Sequence, residues 1–226
     1  MLITNGNSIL GTVNDDINRM AKRLNVNDCL AFGSFVPNVD SSNLDIRLPM
    51  LWHVIDRKEN KLKLLSYFFF EHKGYWSVQG STKAVTWKNA EIRYDLNNKY
   101  LYDCFKEVER NAILITEVKT KTSDSSCVIT NDKLYVPSLE DIENIPEHLK
   151  IGRSLFTMRD DNNTSVVDLM YCFYWLRDSG EFNDTNLVVQ GCSNSEIVLD
   201  SLDYGSDEVG VRAVMWIDAE KINDNN

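Results

Sequence analysis

The sequence of 226 residues has no long apolar run and no recognisable export signal. Its longest apolar stretches, such as residues 64–70, fall far short of the roughly 20 residues that a membrane-spanning helix needs. The N-terminal residues lack the basic region, the unbroken apolar stretch and the small-residue cleavage site of a secretory signal. We therefore expect a cytoplasmic protein with no membrane partner.

Histidine is scarce and cysteine is unpaired in the sequence, which disfavours zinc sites and a disulfide framework. The histidines, His53, His72 and His148, are far apart, and none lies in an HExxH or HxH arrangement. The cysteines form no CxxC pair, so reduced structural thiols are expected. They are Cys29, Cys104, Cys127, Cys172 and Cys192.

Motifs of common enzyme classes are also absent. The sequence contains no GxSxG elbow, no phosphate-binding loop and no GxGxxG fingerprint. No cysteine lies in a context that suggests an activated nucleophile. We assign no catalytic residue and favour a protein that is not an enzyme.

Basic residues are outnumbered by acidic ones. Lys and Arg total 24 against 34 Asp and Glu, a formal net charge of −10. A nucleic-acid partner is disfavoured, because binding to the phosphate backbone depends on basic patches. The acidic surplus lies from Asp160 onward, where 14 acidic residues stand against 3 basic ones. This segment could attract cations or a basic partner, or simply keep the protein soluble.

One amphipathic helix is predicted near the N-terminus. Asn14 can cap it, and apolar residues follow at helical spacing. These residues are Ile17, Met20, Ala21 and Leu24. Residues 1–28 are therefore predicted to be a helical appendage, residues 29–218 a single α+β domain and residues 219–226 a frayed tail.

The middle of the chain predicts a hairpin, two helices and a long loop. The hairpin joins residues 51–56 to residues 61–70 through a polar turn. Thr86 is a candidate cap for a helix through Leu96, and a second helix covers residues 105–112. The Ser-, Thr- and Asp-rich residues 119–131 are typical of an excursion loop.

Short strands are predicted in the rest of the chain. Residues 134–136 form one of them, and Ser138 to Asp141 resembles a capping box that opens a short helix. The last third is predicted to be a small antiparallel sheet, so the fold class is α+β without a βαβ alternation. Its predicted strands are residues 172–177, 187–191, 196–199 and 209–217.

Seven motifs follow one another in an order that resembles a bacterial domain family of unknown function. Members of that family read I-x-W-x-V-L-D, LLIS, TWE-x-S-x-L-R-x-W-L-N, aFs-x-x-E, D-K-[IV]-F-x-L-S, WWLRSPG and GVRPALWI. The corresponding segments here are LWHVID at 51–56, KLLS at 63–66, TWKNAEIR at 86–93, CFKEVE at 104–109, DKLYVPS at 132–138, YWLRDSG at 174–180 and GVRAVMWI at 210–217. The resemblance covers residues 32–217.

The last two motifs are also similar to the end of C-type-lectin-like and formylglycine-generating-enzyme-like folds, which include the variable proteins of diversity-generating retroelements. This resemblance implies a compact α+β domain with rigid final strands, whose loops between WLR and GVR present a ligand surface. The sequence departs from the family where Asp178 and Ser179 replace Ser-Pro, and where Ala213 replaces the usual proline.

Arginine and tryptophan in these motifs are assigned structural roles. Arg177 and Arg212 lie in apolar strand contexts, so each should have an Asp, a Glu or a backbone carbonyl as partner. Trp175 and Trp216 could form a stacking platform for sugars, but their position within strands favours core packing. The residues given structural roles are Trp87, Arg93, Trp175, Arg177, Arg212 and Trp216.

The loops between Asp178 and Glu208 are the predicted ligand surface. They supply amide, hydroxyl and carboxylate groups that can hydrogen-bond a glycan or a protein. The candidate ligand-binding residues are Asn183, Asp184, Asn186, Gln190, Ser193, Asn194, Glu196 and Tyr204. The resulting hypothesis is a noncatalytic ligand-binding or protein-interaction module.

Three alternatives remain open. Calcium is one, since carboxylates and amides cluster at residues 160–163 and 200–208, although neither cluster has the D-x-[DN]-x-[DN]-G spacing. No other cofactor is predicted. A metal-dependent enzyme of the formylglycine-generating type is the second alternative. A structural or assembly component that uses the N-terminal helix as its contact is the third.

Overall fold

The computed structural model describes most of the chain. The described residues are 2–5, 8–12, 23–35, 47–76, 78, 85–159, 165–171, 173–180, 185–190, 198–203 and 209–222. The predicted helix that begins at Asn14 falls mainly on residues 13–22, which lie outside this set.

Strands predominate over helices in the described ranges. The strands are β1 (Leu2–Asn5), β2 (Ser8–Thr12), β3 (Cys29–Phe35), β4 (Leu48–Lys58), β5 (Lys61–Ser66), β6 (Thr116–Lys121), β7 (Cys127–Asp132), β8 (Arg153–Arg159), β9 (Ser165–Tyr171), β10 (Phe173–Ser179), β11 (Thr185–Gln190), β12 (Val198–Asp203) and β13 (Val214–Asp218). The helices are α1 (Glu91–Asp95), α2 (Leu101–Cys104), α3 (Glu107–Ala112), α4 (Leu139–Glu143) and α5 (Glu147–Lys150). A 3₁₀ turn, Trp87–Asn89, precedes α1, and a π-helical turn, Leu96–Tyr100, joins α1 to α2.

The architecture is α+β and its sheets are antiparallel. The largest sheet has six strands in the order β13-β5-β4-β3-β1-β2, and a second sheet has the order β10-β11-β12. Two hairpins, β6-β7 and β8-β9, complete the strands. The described helices lie between β5 and β8, and no helix within the described ranges is long and apolar enough to cross a membrane.

The hairpin predicted around residues 57–60 is confirmed as β4-β5. Leu62, Leu64 and Leu65 of β5 are almost fully buried, so this strand is held in the core. Glu59 occupies the tight turn with a positive φ of 54°. β5 ends at Ser66, earlier than predicted, although the backbone N–H groups of Ser66 and Tyr67 still donate to the carbonyls of Ala213 and Leu51.

The excursion loop predicted at residues 119–131 is wrong, because this segment forms most of the β6-β7 hairpin. Val118 and Thr120 are buried, whereas Glu117, Lys119 and Lys121 are exposed. Inward-facing and outward-facing side chains thus alternate along β6 with the two-residue period of a strand. Only one inward residue of β6 is aliphatic, so the polar composition concealed this alternation.

Two of the predicted helix caps, Thr86 and Ser138, lie in the described ranges: Ser138 opens α4 as predicted, whereas Thr86 precedes a 3₁₀ turn and α1 begins only at Glu91. The backbone N–H of Thr86 donates to Asn89 Oδ1 at 2.7 Å at the start of the 3₁₀ turn. Ser138 Oγ accepts from the Asp141 N–H at 3.1 Å, and Asp141 Oδ2 accepts from the Ser138 N–H at 2.9 Å. This reciprocal pair is the predicted capping box. The strand predicted at residues 134–136 is reduced to one bridge between Tyr135 and Val214.

The C-terminal strands divide between two sheets, which corrects the prediction of one small sheet. β10, β11 and β12 pair with one another, but β13 crosses back and pairs with β5. The β8-β9 hairpin was not predicted, and β1 and β2 lie within the segment assigned to a helical appendage. Ala219 and Ile222 are buried, so packing continues into the predicted tail.

Close packing explains the glycine of the GVR motif. Gly210 lies against the buried Phe69 ring, where an added Cβ would come within 2.3 Å of the ring carbons. Gly152 meets the same ring from another side. Phe69 therefore connects the segment before β13 to the segment before β8 in one continuous core.

Candidate functional site

A broad, open groove of about 1540 Å³ lies at one end of the six-stranded sheet. β4, β5 and β13 supply its floor, the β6-β7 hairpin forms one wall and the α4 segment contributes another. Asp178, Ser179 and Gly180, at the end of β10, also line it. We call this feature the polar groove.

The floor of the polar groove contains a row of three residues on adjacent strands. Asp56 on β4 pairs with Lys63 on β5, and Lys63 pairs with Trp216 on β13. Directly paired residues project from the same face of a sheet, so this row sets a carboxylate, an ammonium and an indole side by side. A β-bulge between Val54 and Asp56 shifts the register next to the row.

Trp216 is half-buried, and the ammonium groups of two lysines lie over its indole ring. Lys58 Nζ lies 5.3 Å and Lys63 Nζ lies 5.9 Å from the indole centroid. Both distances are within the range of a cation–π contact. The indole is therefore held in the floor while part of it remains accessible from the groove.

A buried carboxylate, Asp141, joins the floor to the α4 wall. It pairs with Lys63 through Oδ1 and with Arg177 Nη1 through Oδ2 at 2.8 Å. Burial alone would raise the pKa of Asp141, but Arg177, Lys63 and the Ser138 N–H outweigh burial and lower it to about 2. Asp141 is thus an anion at neutral pH and fixes two cations beneath the groove.

Arg177 has the partners that its sequence context predicted. Besides Asp141, its guanidinium donates to the carbonyls of Lys119 and Val136, each at 3.0 Å. Its Cζ lies 5.3 Å from the centroid of the Tyr135 ring. The guanidinium therefore holds the β6-β7 hairpin against β10.

The next residue, Asp178, strengthens the same junction. Its carboxylate accepts from the backbone N–H of Lys121 at 3.2 Å and from that of Leu139 at 2.7 Å. Asp178 is buried, so both bonds lie away from solvent.

The rim of the polar groove mixes hydroxyls with charges of both signs. Basic and acidic side chains line it in nearly equal numbers, so its field has no single sign. Thr122 Oγ1 donates to Asp124 Oδ1 at 2.6 Å in the hairpin turn. The other serine and threonine residues of the lining are Thr116, Ser123, Ser125, Ser126, Ser138 and Ser179.

A comparison with models of protein families shows which family the chain belongs to. A model described as "Domain of unknown function (DUF6273)" matches residues 59–219, which is more than half of the sequence. The chain belongs to the DUF6273 family. This finding agrees with the expectation of a domain family of unknown function. No curated protein and no solved structure matches the chain.

Two polar clusters of the DUF6273 domain lie outside the polar groove. The Trp87 indole N–H donates to Asp132 Oδ2 at 2.9 Å, and Arg93 Nε donates to Asp132 Oδ1 at 2.8 Å. Trp87 is fully buried, and Trp175, also fully buried, donates to the Lys73 carbonyl at 2.7 Å. These contacts connect the Trp87–Asn89 turn to β7, and β10 to the segment that follows β5.

Arg212 of the DUF6273 domain is fully buried and is held by carbonyl groups. Its Nε donates to the Ser66 carbonyl at 2.6 Å and its Nη1 to the Leu149 carbonyl at 2.7 Å. Burial, above all, lowers the pKa of this guanidinium, and the Tyr174 ring lies 5.3 Å from its Cζ. Arg212 therefore has two backbone carbonyl partners of the kind that its sequence context predicted.

The predicted ligand residues are only partly among the described residues. Asn186 is buried, and its side-chain amide donates to the Leu176 carbonyl within the β10-β11 pair. Gln190 lies on β11, where its backbone pairs with Phe173 and Val198. The remaining candidates lie outside the described residues: Asn183, Asp184, Ser193, Asn194, Glu196 and Tyr204.

Most of the polar-groove floor was not predicted from the sequence. Lys58, Lys63 and Asp141 received no site role, and Trp216 was assigned to the core. The signal at Asp141 was its place in the capping box, which accounts for one of its oxygens but not for the ion pairs. Within the described ranges, no three His, Cys, Asp or Glu side chains are grouped so that they could hold a metal ion.

Proposed function

We propose that this domain is a noncatalytic binding module and that the polar groove holds a neutral, hydroxyl-rich ligand such as an oligosaccharide. The observation that carries the proposal is the row formed by Asp56, Lys63 and Trp216. It presents an acceptor, a donor and an aromatic surface at fixed positions on three paired strands.

The balance of charge favours a neutral ligand over a polyanion or a polycation. Basic and acidic side chains line the groove in nearly equal numbers, five against six. A sugar hydroxyl can donate to a carboxylate and accept from an ammonium, so it uses both kinds of group. A strongly charged ligand would be repelled by about half of them.

Trp216 supplies the apolar part of the site. The C–H face of a sugar ring packs on an aromatic surface, while the indole and its neighbours orient the ligand. Asp141 keeps Lys63 in place from below, so little side-chain freedom is lost when the ligand binds.

The proposed surface continues toward the interval between Asp178 and Glu208. Asp178 to Gly180 and Leu187 line the groove and belong to this interval. The C-type-lectin-like resemblance of the WLR and GVR motifs supports a binding role for the loops that follow. A protein ligand at the same surface is the alternative that the experiment distinguishes.

The test is isothermal titration calorimetry of the full chain against a panel of neutral oligosaccharides, with Trp216→Phe as the decisive variant. Exchanging the indole for the smaller phenyl ring should weaken binding by up to about tenfold, because an aromatic contact contributes about 0.5–1.5 kcal/mol and phenylalanine keeps only part of it. Trp76→Phe is the matched control, since Trp76 is also half-buried but does not line the groove.

A comparison of two lysine variants provides a second test of the groove. Lys58 lines the groove, whereas Lys61, on the same hairpin, does not. Lys58→Met should weaken binding and Lys61→Met should not. Equal effects of the two tryptophan variants would refute the groove as the site, and binding of peptides but of no oligosaccharide would refute the ligand class.

A further inference from the structure

A second, smaller cavity lies away from the polar groove and shares no lining residue with it. It has a volume of about 330 Å³, which is within the usual range of roughly 300–1,000 Å³ for small-molecule pockets. The end of β3, the start of β4, the segment after β5 and the turn that leads into α2 enclose it. We call it the aromatic cavity.

Five aromatic residues line the aromatic cavity: the buried Phe69 and four whose rings are partly exposed. Phe35 and Phe68 have ring centroids 6.4 Å apart, and Phe70 and Tyr100 meet edge to face at 5.3 Å. All four side chains are half-buried, so part of each ring remains uncovered. Uncovered apolar surface concentrated in one concave site is a mark of ligand binding.

Cys104 and Tyr100 add no charge to this wall, and the charged members of the lining are Arg47 and Asp103. Burial, with a smaller contribution from Asp103, raises the pKa of the Cys104 thiol to about 12, so Cys104 lines the cavity as a neutral group. The Tyr100 hydroxyl accepts from Lys99 Nζ at 3.3 Å, and burial above all raises the pKa of Tyr100, so this group is also neutral.

Arg47 brings a positive charge to the mouth of the cavity. Its Nε donates to Ser34 Oγ at 3.1 Å, and its Nη2 donates to the carbonyls of Ser34 and Asp103. Its partners in the described ranges are thus hydroxyl and carbonyl oxygens, and none is a carboxylate. These bonds position the guanidinium without neutralising its charge.

We propose that the aromatic cavity binds a small carboxylic acid with an aromatic body, its ring between Phe68 and Tyr100 and its carboxylate at Arg47. The aromatic side chains of the cavity contact the ligand ring in offset-stacked or edge-to-face geometry. The guanidinium matches the head group by charge-assisted hydrogen bonds.

The test compares two probes that differ only in the head group: 4-phenylbutyrate and 4-phenylbutanol, titrated calorimetrically into the full chain. The acid should bind at least about tenfold more tightly than the alcohol, since hydrogen bonds to charged groups are the strong ones. Arg47→Met should remove this preference while leaving the binding of the alcohol unchanged. Arg23→Met, at another exposed arginine, should keep the preference.

Filling the cavity provides a second check. Leu51→Trp places a large ring in the cavity and should abolish binding of both probes; Phe68→Leu, a milder change, should weaken both by severalfold. Circular dichroism and thermal unfolding verify that each variant is folded. The proposal is overturned if the alcohol binds as well as the acid, if Arg23→Met and Arg47→Met act alike, or if neither probe binds the wild-type chain.

Discussion

At the scale of single residues, His53 is the group whose protonation the fold opposes most clearly. It is buried on β4, its Nδ1 lies 3.1 Å from Cys29 Sγ, and its Nε2 has no hydrogen-bond partner among the described residues. Burial, followed by the charges of Arg212, Arg153 and His148, lowers its pKa from 6.5 to about 3. The folded protein therefore keeps this imidazole neutral.

This burial predicts a loss of stability in mildly acidic solution. The unfolded chain protonates His53 near pH 6.5, whereas the folded protein resists protonation down to about pH 3. The unfolded state thus binds more protons in this window, and stability falls as the pH falls. The expected contribution of His53 to the slope is about 1.4 kcal/mol per pH unit below 6.5, and His72, whose pKa burial also lowers, adds to it.

Urea unfolding at pH 7, 6 and 5 measures this slope. His53→Gln should flatten it, because glutamine does not titrate. His148→Gln is the control, since His148 is exposed, and it should preserve the slope. A slope that is equal in His53→Gln and in the wild type would show that other groups cause the acid sensitivity.

At the scale of elements, Asp178 joins three segments that are distant in sequence. Asp178 is the last buried residue of β10. Its carboxylate accepts hydrogen bonds from the backbone N–H groups of Lys121, on β6, and Leu139, on α4. Asp178→Ala would leave both donors without this acceptor. We expect a loss of about 3 kcal/mol, because hydrogen bonds to charged groups contribute about 1.5–3 kcal/mol each.

Hydrogen exchange identifies the elements that loosen. The amides of Lys121 and Leu139 should exchange faster in Asp178→Ala, whereas the amides of the β4-β5 hairpin should not change. Glu140→Ala removes a nearby exposed carboxylate and should leave both amides protected. Unchanged protection in Asp178→Ala would mean that these bonds do not hold the hairpin in place.

Elements with strong local patterns were predictable, and those held by distant contacts were not. The β4-β5 hairpin has an apolar strand beside a polar turn, and Ser138 begins a reciprocal cap, so each signal lies within a few residues. β6-β7 is polar, and its hold on β10 depends on Arg177 and Asp178, more than 50 positions away. The residues next to β6 and β7 in the sequence do not indicate such distant partners.

The same distinction applies to the candidate site. The polar groove was predictable only where it adjoins the interval that begins at Asp178. Its floor depends on the register of β5 against β13, which pairs Lys63 with Trp216 although they are far apart in sequence. The sequence marked both partners of the Arg177 to Asp141 ion pair, one as a buried arginine and the other as a capping residue, but not their contact.

At the scale of the whole molecule, β13 closes the fold. It pairs along its length with β5, and bridges connect it to Ile113 and Tyr135. Val214, Met215 and Ile217 have no exposed surface. One short strand near the end of the chain therefore covers β5 and contacts both the helical region and the segment before α4.

Truncation from the C-terminus tests this closure. Removing residues 214–226 should abolish cooperative thermal unfolding, because it uncovers β5 and deletes part of the core. Removing residues 219–226 should leave a folded protein that is about 2 kcal/mol less stable, since Ile222 is buried and a buried aliphatic side chain contributes about 1.5–3 kcal/mol. Removing only residues 223–226 is the control that keeps Ile222 in place. If the 219–226 deletion also melts like the wild type, packing of the chain onto the core ends with β13. If the 214–226 deletion still unfolds cooperatively, the remaining strands of the sheet are sufficient and β13 does not close the fold.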